Sequence, residues 1–186
     1  MGMNTERIYM VPNEVLTKTA EPMSFETKED QDAAITLADK LIVTMLRHSA
    51  QGLAAPQLGI LSEAFCLRVN GQPHVFINPV IADKEEDLQL MSEGCLSLPN
   101  ISIKLNIRHA AVLIEAMDQF NTPVKMELDG IEAIAFQHEL DHLRGITILN
   151  HAKGFQKTLA LQKLKKFRKQ VRKSPGFKDG TSAFIL

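Results

Sequence analysis

Gly130–Leu143 constrains the fold of this chain more than any other segment. Ile131, Ala133, Ile134, Ala135, Phe136 and Leu140 leave it almost no polar face. It therefore reads as a helix buried at the centre of a domain, not one lying on its surface. Yet its second half is His138-Glu139-Leu140-Asp141-His142. Histidines four residues apart on a helix stand one turn apart on the same face. Both imidazoles can reach one metal ion, and the Glu139 carboxylate can face the open side of that site and take a proton from water. The bland alternative is two core histidines at a chance spacing. It must hide two imidazoles and two carboxylates among apolar neighbours, where unpaired polar groups are costly, so metal binding is the better reading.

A helix supplies two ligands, and a third must come from elsewhere. Thermolysin-like proteases take it from a downstream glutamate, but no Glu follows His142 and the only later acid is Asp179. Metzincins extend the motif with a glycine and a third histidine. Gly145 fits that pattern, but Ile148 stands at the histidine position and His151 comes three residues late. The remaining donor is Cys95, in Glu93-Gly94-Cys95-Leu96-Ser97. A thiolate is a strong metal ligand, and Gly94 lets the backbone approach closely. The other cysteine, Cys66, lies inside Phe65-Cys66-Leu67 and reads as a small core hydrophobe.

Around these residues the pattern is one domain over 1–186, with a catalytic core over 1–150 and a basic helix over 155–173. The 186 residues are 45% apolar and 23% charged, enough for a core without disulfide staples. Apolar residues at helical spacing (Ile35, Ala38, Leu41, Ile42, Met45, Leu46) predict an amphipathic helix over 29–48. The stretch 51–59, with its glycines and Pro56, reads as a loop. Strands are expected at 64–69, 75–78, 97–103 and 111–117, with 123–128 closing a hairpin through 119–122 and an acidic turn at 83–87. Strands in runs, with helices kept apart, indicate an α+β fold: small antiparallel sheets packed around the central motif helix, plus the N-terminal amphipathic helix and the C-terminal basic helix. No apolar run reaches the roughly 18 residues of a membrane span. Acids from Glu6 to Asp30 argue against a secretory or transit peptide, and two cysteines do not suggest an oxidising compartment. A cytoplasmic protein is expected.

Three segments together, Gly52-Leu53-Ala54-Ala55-Pro56-Gln57, Glu93-Gly94-Cys95-Leu96-Ser97 and Gln137-His138-Glu139-Leu140-Asp141-His142, resemble the signature motifs of peptide deformylases, in the family's order. Pro12, Leu16, Ala20 and Pro22, then Ile77-Asn78-Pro79 and Asp129-Gly130, extend the likeness over about residues 6–150. The resemblance implies a metal-dependent hydrolase that removes the formyl group from formyl-methionyl nascent polypeptides and releases formate. It implies Cys95, His138 and His142 as ligands of one divalent ion, Fe(II) foremost, with zinc, nickel or cobalt as replacements. Glu139 would act as general base and then acid. The Gln57 amide and the Leu96 N–H would stabilise the oxyanion. Gly52 and Gly94 would offer backbone groups to the peptide, and Ile131, Ile134 and Ala135 are candidates for a methionine pocket. Ala54 and Ala55 would leave room for a small acyl group. Glu93 and Asp141 are candidates to orient the ligand histidines, with Arg108 beside Glu93; Asp141 could equally pair with Arg144.

The sequence departs from the family where Ala50 and Gln51 replace a glycine and an apolar residue, and where Asn100–Lys104 lacks an arginine found in many bacterial members. Both bear on substrate preference more than on chemistry. The charge is lopsided. From residue 143 onward there are eleven bases and one acid, against ten bases and twenty-one acids before it. A basic tail suits a polyanionic partner. Bacterial deformylases dock on the ribosome through a C-terminal helix, so Lys157, Lys163, Lys165, Lys166, Arg168, Lys169, Arg172 and Lys173 are candidate RNA contacts. The competing reading is a ribosome-bound protein whose deformylase site has decayed, which the intact ligand set disfavours.

Overall fold

A computed structural model describes residues 6–171 and 183–184. The short strand β1 (Ile8–Tyr9) comes first, then helix α1 (Lys28–Arg47). Strands β2 (Gly52–Ala54), β3 (Ala64–Val69) and β4 (Gln72–Lys84) follow. Next is the hairpin of β5 (Leu88–Cys95) and β6 (Leu98–His109), and then the hairpin of β7 (Ala111–Met117) and β8 (Pro123–Asp129). The chain closes with α2 (Gly130–Leu143), the single turn α3 (Ile148–His151), α4 (Gly154–Val171) and β9 (Ala183–Phe184). A five-stranded antiparallel sheet runs in the order β2-β3-β4-β7-β8, while β5-β6 and β1-β9 form separate pairs.

The β3 side of the large sheet is buried on both faces, while β7 and β8 alternate between buried and exposed positions. Successive side chains point to opposite faces. Phe65 and Leu67 enter the cluster that contains Ala133, Phe136 and Leu140 of α2. Ala64 and Cys66 enter the one that contains Leu37, Leu41 and Met45 of α1. A nearly continuous apolar run is what a strand between two layers requires. Phe65, Phe76 and Phe136 meet with ring centroids 5.0–5.6 Å apart, pinning α2 to the sheet. A third cluster seats Ile148 and Leu149 of α3 and Ala160 and Leu164 of α4 on Leu98, Ile101, Ile103 and Leu105 of β6.

Local sequence sets the helix boundaries. Thr27 Oγ1 accepts from Asp30 N–H at 3.1 Å and Asp30 Oδ2 accepts from Thr27 N–H at 3.0 Å, a capping box that starts α1. The buried stripe of α1 is Ala34, Leu37, Ala38, Leu41 and Met45. Leu46, expected inside, is 41% exposed.

Other expectations need correction. The 51–59 stretch is not a loop: Gly52–Ala54 pairs with Phe65–Leu67 as an edge strand, and Ala55–Leu58 forms a 3-10 turn. Leu53 and Ala54 go to opposite cores, so its apolar content was strand content. Strand β4 runs past Asn78 through two irregular registers to Lys84, which narrows the acidic turn to Glu85–Asp87. Asn78 takes φ 52° there and clamps Met23 through both backbone groups (2.8 and 2.9 Å). The eight residues of β5 were not anticipated, and its partner β6 is longer than the expected 97–103. Ile131, expected in the core, is 56% exposed. The basic helix is described to Val171; Arg172 and Lys173 lie outside the described residues. No helix among the described residues is long and apolar enough to cross a membrane.

Candidate active site

Two elements converge on one point. From α2, His138, Glu139 and His142 are buried, with exposures of 8, 5 and 1%. From the end of β5, a register irregularity between Gly94 and Cys95 turns the Cys95 thiol inward. The candidate ligand atoms of Cys95, His138 and His142 all lie within 4.8 Å of one another. Cys95 Sγ is 3.2 Å from His142 Nε2, and the His138 and His142 rings sit 5.1 Å apart at 69°.

The surroundings fix these groups. His138 Nδ1 bonds Glu93 Oε2 at 2.8 Å, leaving its Nε2 for the site. Arg108, 5% exposed, grips Glu93 with two bonds of 3.0 and 3.1 Å and donates to Asp141 Oδ2 at 2.6 Å. His151 Nε2 meets the same Asp141 oxygen at 2.7 Å. Asp141 thus pairs with Arg108 and His151, and the alternative pairing with Arg144 is not the one formed. Burial opposes ionisation of Glu93, but His138 and Arg108 outweigh it and hold its carboxyl below the usual range. Burial also works against the His138 imidazolium, and the hydrogen bonds it donates to Cys95 and Glu93 overcome that to raise its pKa well above the ordinary value. Burial drives the His142 pKa well below its ordinary value. Burial also pushes Glu139 up to about 7. Its Oε2 and His142 Nδ1 are buried with no hydrogen-bond partner.

These groups open into a cavity of about 650 Å³. Gln57 and Leu96 both line it. Gln57 sits in the 3-10 turn, where its Oε1 accepts from Ala54 N–H at 2.8 Å. That fixes the NH₂ end, which lies 3.1 Å from Ser97 Oγ and 3.5 Å from Cys95 Sγ. Leu96 occupies the two-residue turn between β5 and β6. Gly52 and Gly94 line opposite strands of the mouth, and Ile131, Ile134 and Ala135 form an apolar wall from α2. Ile131 is exposed because the first turn of α2 emerges at that mouth. Ala54 and Ala55 do not line the cavity; both are fully buried in the cores.

Gly52 has a specific reason to be glycine. A Cβ there would come within 2.5 Å of Glu139 Oε1. The substituted position 50 carries no comparable demand: the left-handed residue of that turn is Ser49, φ 50°, not Ala50. Gln51 lines the cavity with its amide already engaged, donating to Arg68 O at 2.8 Å. Sequence reasoning missed His151 as the second partner of Asp141. The only signal was a histidine one short turn beyond the motif helix.

The donor set fits a metal ion on its own chemistry: one thiol and two imidazoles converging, with one imidazole backed by a carboxylate as metal-binding histidines commonly are. A soft-to-borderline divalent ion suits such a set.

The polypeptide deformylase family model matches residues 5–158. A peptide deformylase of Aquifex aeolicus is 34% identical over 168 residues, covering 87% of this chain and 96% of the relative. One of Thermodesulfovibrio yellowstonii is 36% identical, covering 83% and 93%. Among solved structures, the peptide deformylase of Legionella pneumophila superposes with a TM-score of 0.84 at 28% identity, covering 92% of this chain and all of that one. That of Ehrlichia chaffeensis in complex with actinonin superposes with 0.80 at 27%, covering 89% and 98%. Two buried histidines and a half-buried cysteine beside a buried carboxylate, on this fold and with these relatives, place the chain in the polypeptide deformylase family of hydrolases, which remove formyl groups from nascent peptides.

Proposed function

We propose that Cys95, His138 and His142 hold one divalent metal ion, Fe(II) foremost, with zinc, nickel or cobalt as functional replacements, and that Glu139 is the acid–base group of deformylation. The observation that carries this reading is the unpartnered Glu139 Oε2, buried beside three converging donor atoms. A bound divalent ion supplies Lewis acidity there, bringing the pKa of a water from about 15.7 towards about 7.

The residues of the chain do the rest. Glu139 takes the proton of the attacking water and later delivers it to the departing amine; without metal, burial raises its carboxyl to about 7, and a bound cation opposes that rise. The Gln57 NH₂ and the Leu96 N–H donate to the oxygen that becomes negative when the formyl carbon turns tetrahedral. One such donor is worth roughly 2.7–4 kcal/mol. The ends of Gly52 and Gly94 offer backbone groups to an extended peptide, while Ile134 and Ala135 take the methionine side chain. Atoms balance as water plus formyl-peptide giving formate and a free amino terminus.

Helix α4 supports a ribosomal partner: Lys157, Lys165, Lys166 and Lys169 are exposed on it. Deleting 155–186 is expected to weaken low-salt co-sedimentation with ribosomes; unchanged co-sedimentation rejects the docking role. This partner and a cytoplasmic location belong together.

The test of the reaction is formate release from formyl-Met-Ala-Ser by protein loaded anaerobically with Fe(II), beside Glu139→Gln. Release by the parent and loss in the variant are expected. A metal-loaded parent that releases no formate rejects the reading.

A further inference from the structure

Helix α4 contributes one residue to the catalytic cavity, Lys163. It lies between Ala160 and Leu164, the two residues that α4 buries against β6. It therefore stands at the edge of the packed face, where a long stem can lie over apolar surface and bring its ammonium to the cavity. Gln156 of the same helix donates to Lys104 O of β6 at 3.0 Å, which fixes the helix on that wall.

The charge around it is uneven. Lys163 is the only lysine or arginine among the lining residues, and it takes part in none of the ion pairs found among the described residues. Two carboxylates line the cavity with it. Glu93 is already neutralised by Arg108 at 3.0 Å, and Glu139 is buried. The wall beside α4 comes from Leu98, Pro99, Asn100, Ile101 and Ser102, none of them charged. An uncommitted cation on a concave, largely uncharged wall attracts anions more strongly than one on an open surface.

We propose that Lys163 determines specificity, its ammonium receiving the carboxylate of an aspartate or glutamate among the first residues after formyl-methionine. This rests on the deformylase reading of the cavity. The same helix would then carry the basic outer face and read the charge of the chain being processed. If Lys163 is only part of that solvated face, the enzyme is indifferent to substrate charge.

The experiment measures kcat and KM for formyl-Met-Ala-X-amide and formyl-Met-X-Ala-amide with X as Glu, Gln or Lys, in the parent, Lys163→Gln and Lys163→Glu. The Gln peptide is the reference within each protein, so a general loss of activity cancels. The parent is expected to prefer Glu over Gln by about three- to fivefold in kcat/KM at low salt, at one of the two positions. The difference should lie in KM and shrink as salt is raised. Lys163→Gln should remove the preference, and Lys163→Glu should turn it towards X as Lys. Equal kcat/KM for all X in the parent, or a Glu preference that survives Lys163→Glu, overturns the proposal. The same peptides are bound at equilibrium to metal-loaded Glu139→Gln protein, which reads the charge preference without turnover. Absence of formate from every peptide would sink the deformylase reading, while the binding ratios would still decide the role of Lys163.

Discussion

Gly52→Ala is a perturbation whose outcome the structure sets closely. The new methyl would stand 2.5 Å from Glu139 Oε1, 2.8 Å from its Cγ and 2.9 Å from its Cδ. Ordinary contact begins at 3.4 Å, so about 0.9 Å must be found. The backbone cannot easily supply it. Strand β2 is paired with β3, and α2 is held by the Phe65–Phe76–Phe136 cluster. The carboxylate must therefore swing, or β2 must shift and disturb the Ala54–Gln57 bond that aims the Gln57 amide. Either route misplaces a reacting group by close to 1 Å, which costs on the order of 10²-fold in rate, about 2.7 kcal/mol of barrier. The assay is kcat and KM on formyl-Met-Ala-Ser, with metal content and thermal unfolding measured on the same samples. A hundredfold lower kcat with parental metal content is expected. A kcat within threefold of the parent, with fold and metal intact, would refute the steric argument.

Other perturbations probe the surroundings. Arg108→Gln leaves the buried Glu93 carboxylate with His138 alone and the half-buried Asp141 with His151 alone; it should cost about 3–5 kcal/mol in denaturant unfolding and weaken metal binding about 10–100-fold in chelator competition. Unchanged affinity would mean that Arg108 does not act on the metal ligands through Glu93. Burial, followed by the nearby Glu139, pushes the Cys66 thiol far up. The metal-free native protein should therefore show one reactive thiol, Cys95, which zinc protects, and two on denaturation; rapid labelling of Cys66 in the folded state contradicts this. Glu139 has a folded pKa raised from 4.5 to about 7, so the folded, metal-free protein binds that proton more tightly than the unfolded chain. Its contribution is fully present below pH 4.5 and is lost as pH rises through 7, by up to about 3 kcal/mol. Glu139→Gln removes that loss. The metal-free variant should gain on the parent between about pH 5 and about pH 8 in urea unfolding, and a constant difference would be inconsistent with a buried, neutralised Glu139.

The site was more legible than the fold because its signals are local. Two histidines at one-turn spacing in an apolar helix declare their face without any knowledge of partners, and α2 follows Gly130–Leu143 as expected. Cys95 emerged as the remaining donor once the usual third ligands were missing. The pairing partners were harder. Strand β5 escaped notice because Leu88, 48% exposed, and Leu90, 56% exposed, lie on an open hairpin where no core imposes alternation. Gly52–Ala54 was hidden by the glycine and proline around it, although burial on both faces, not turn chemistry, governs that stretch. The Arg108–Glu93 pair was anticipated only faintly, and its links to Asp141 and His151 depend on bringing β6, α2 and α3 together. Lys163 gave no sequence signal separating it from the other lysines of α4; its place on the cavity wall, set by the packing of Ala160 and Leu164, distinguishes it.

The central claim is that one ion is held by Cys95, His138 and His142. Its most direct test is cobalt(II) loading of metal-free protein, followed by optical absorption and metal counting, in the parent and in Cys95→Ser. The account predicts one ion per chain with a near-ultraviolet thiolate-to-cobalt charge-transfer band and tetrahedral-type visible bands. The charge-transfer band should vanish in Cys95→Ser. A parent that binds cobalt without that band, or a Cys95→Ser protein that keeps it, would contradict the account.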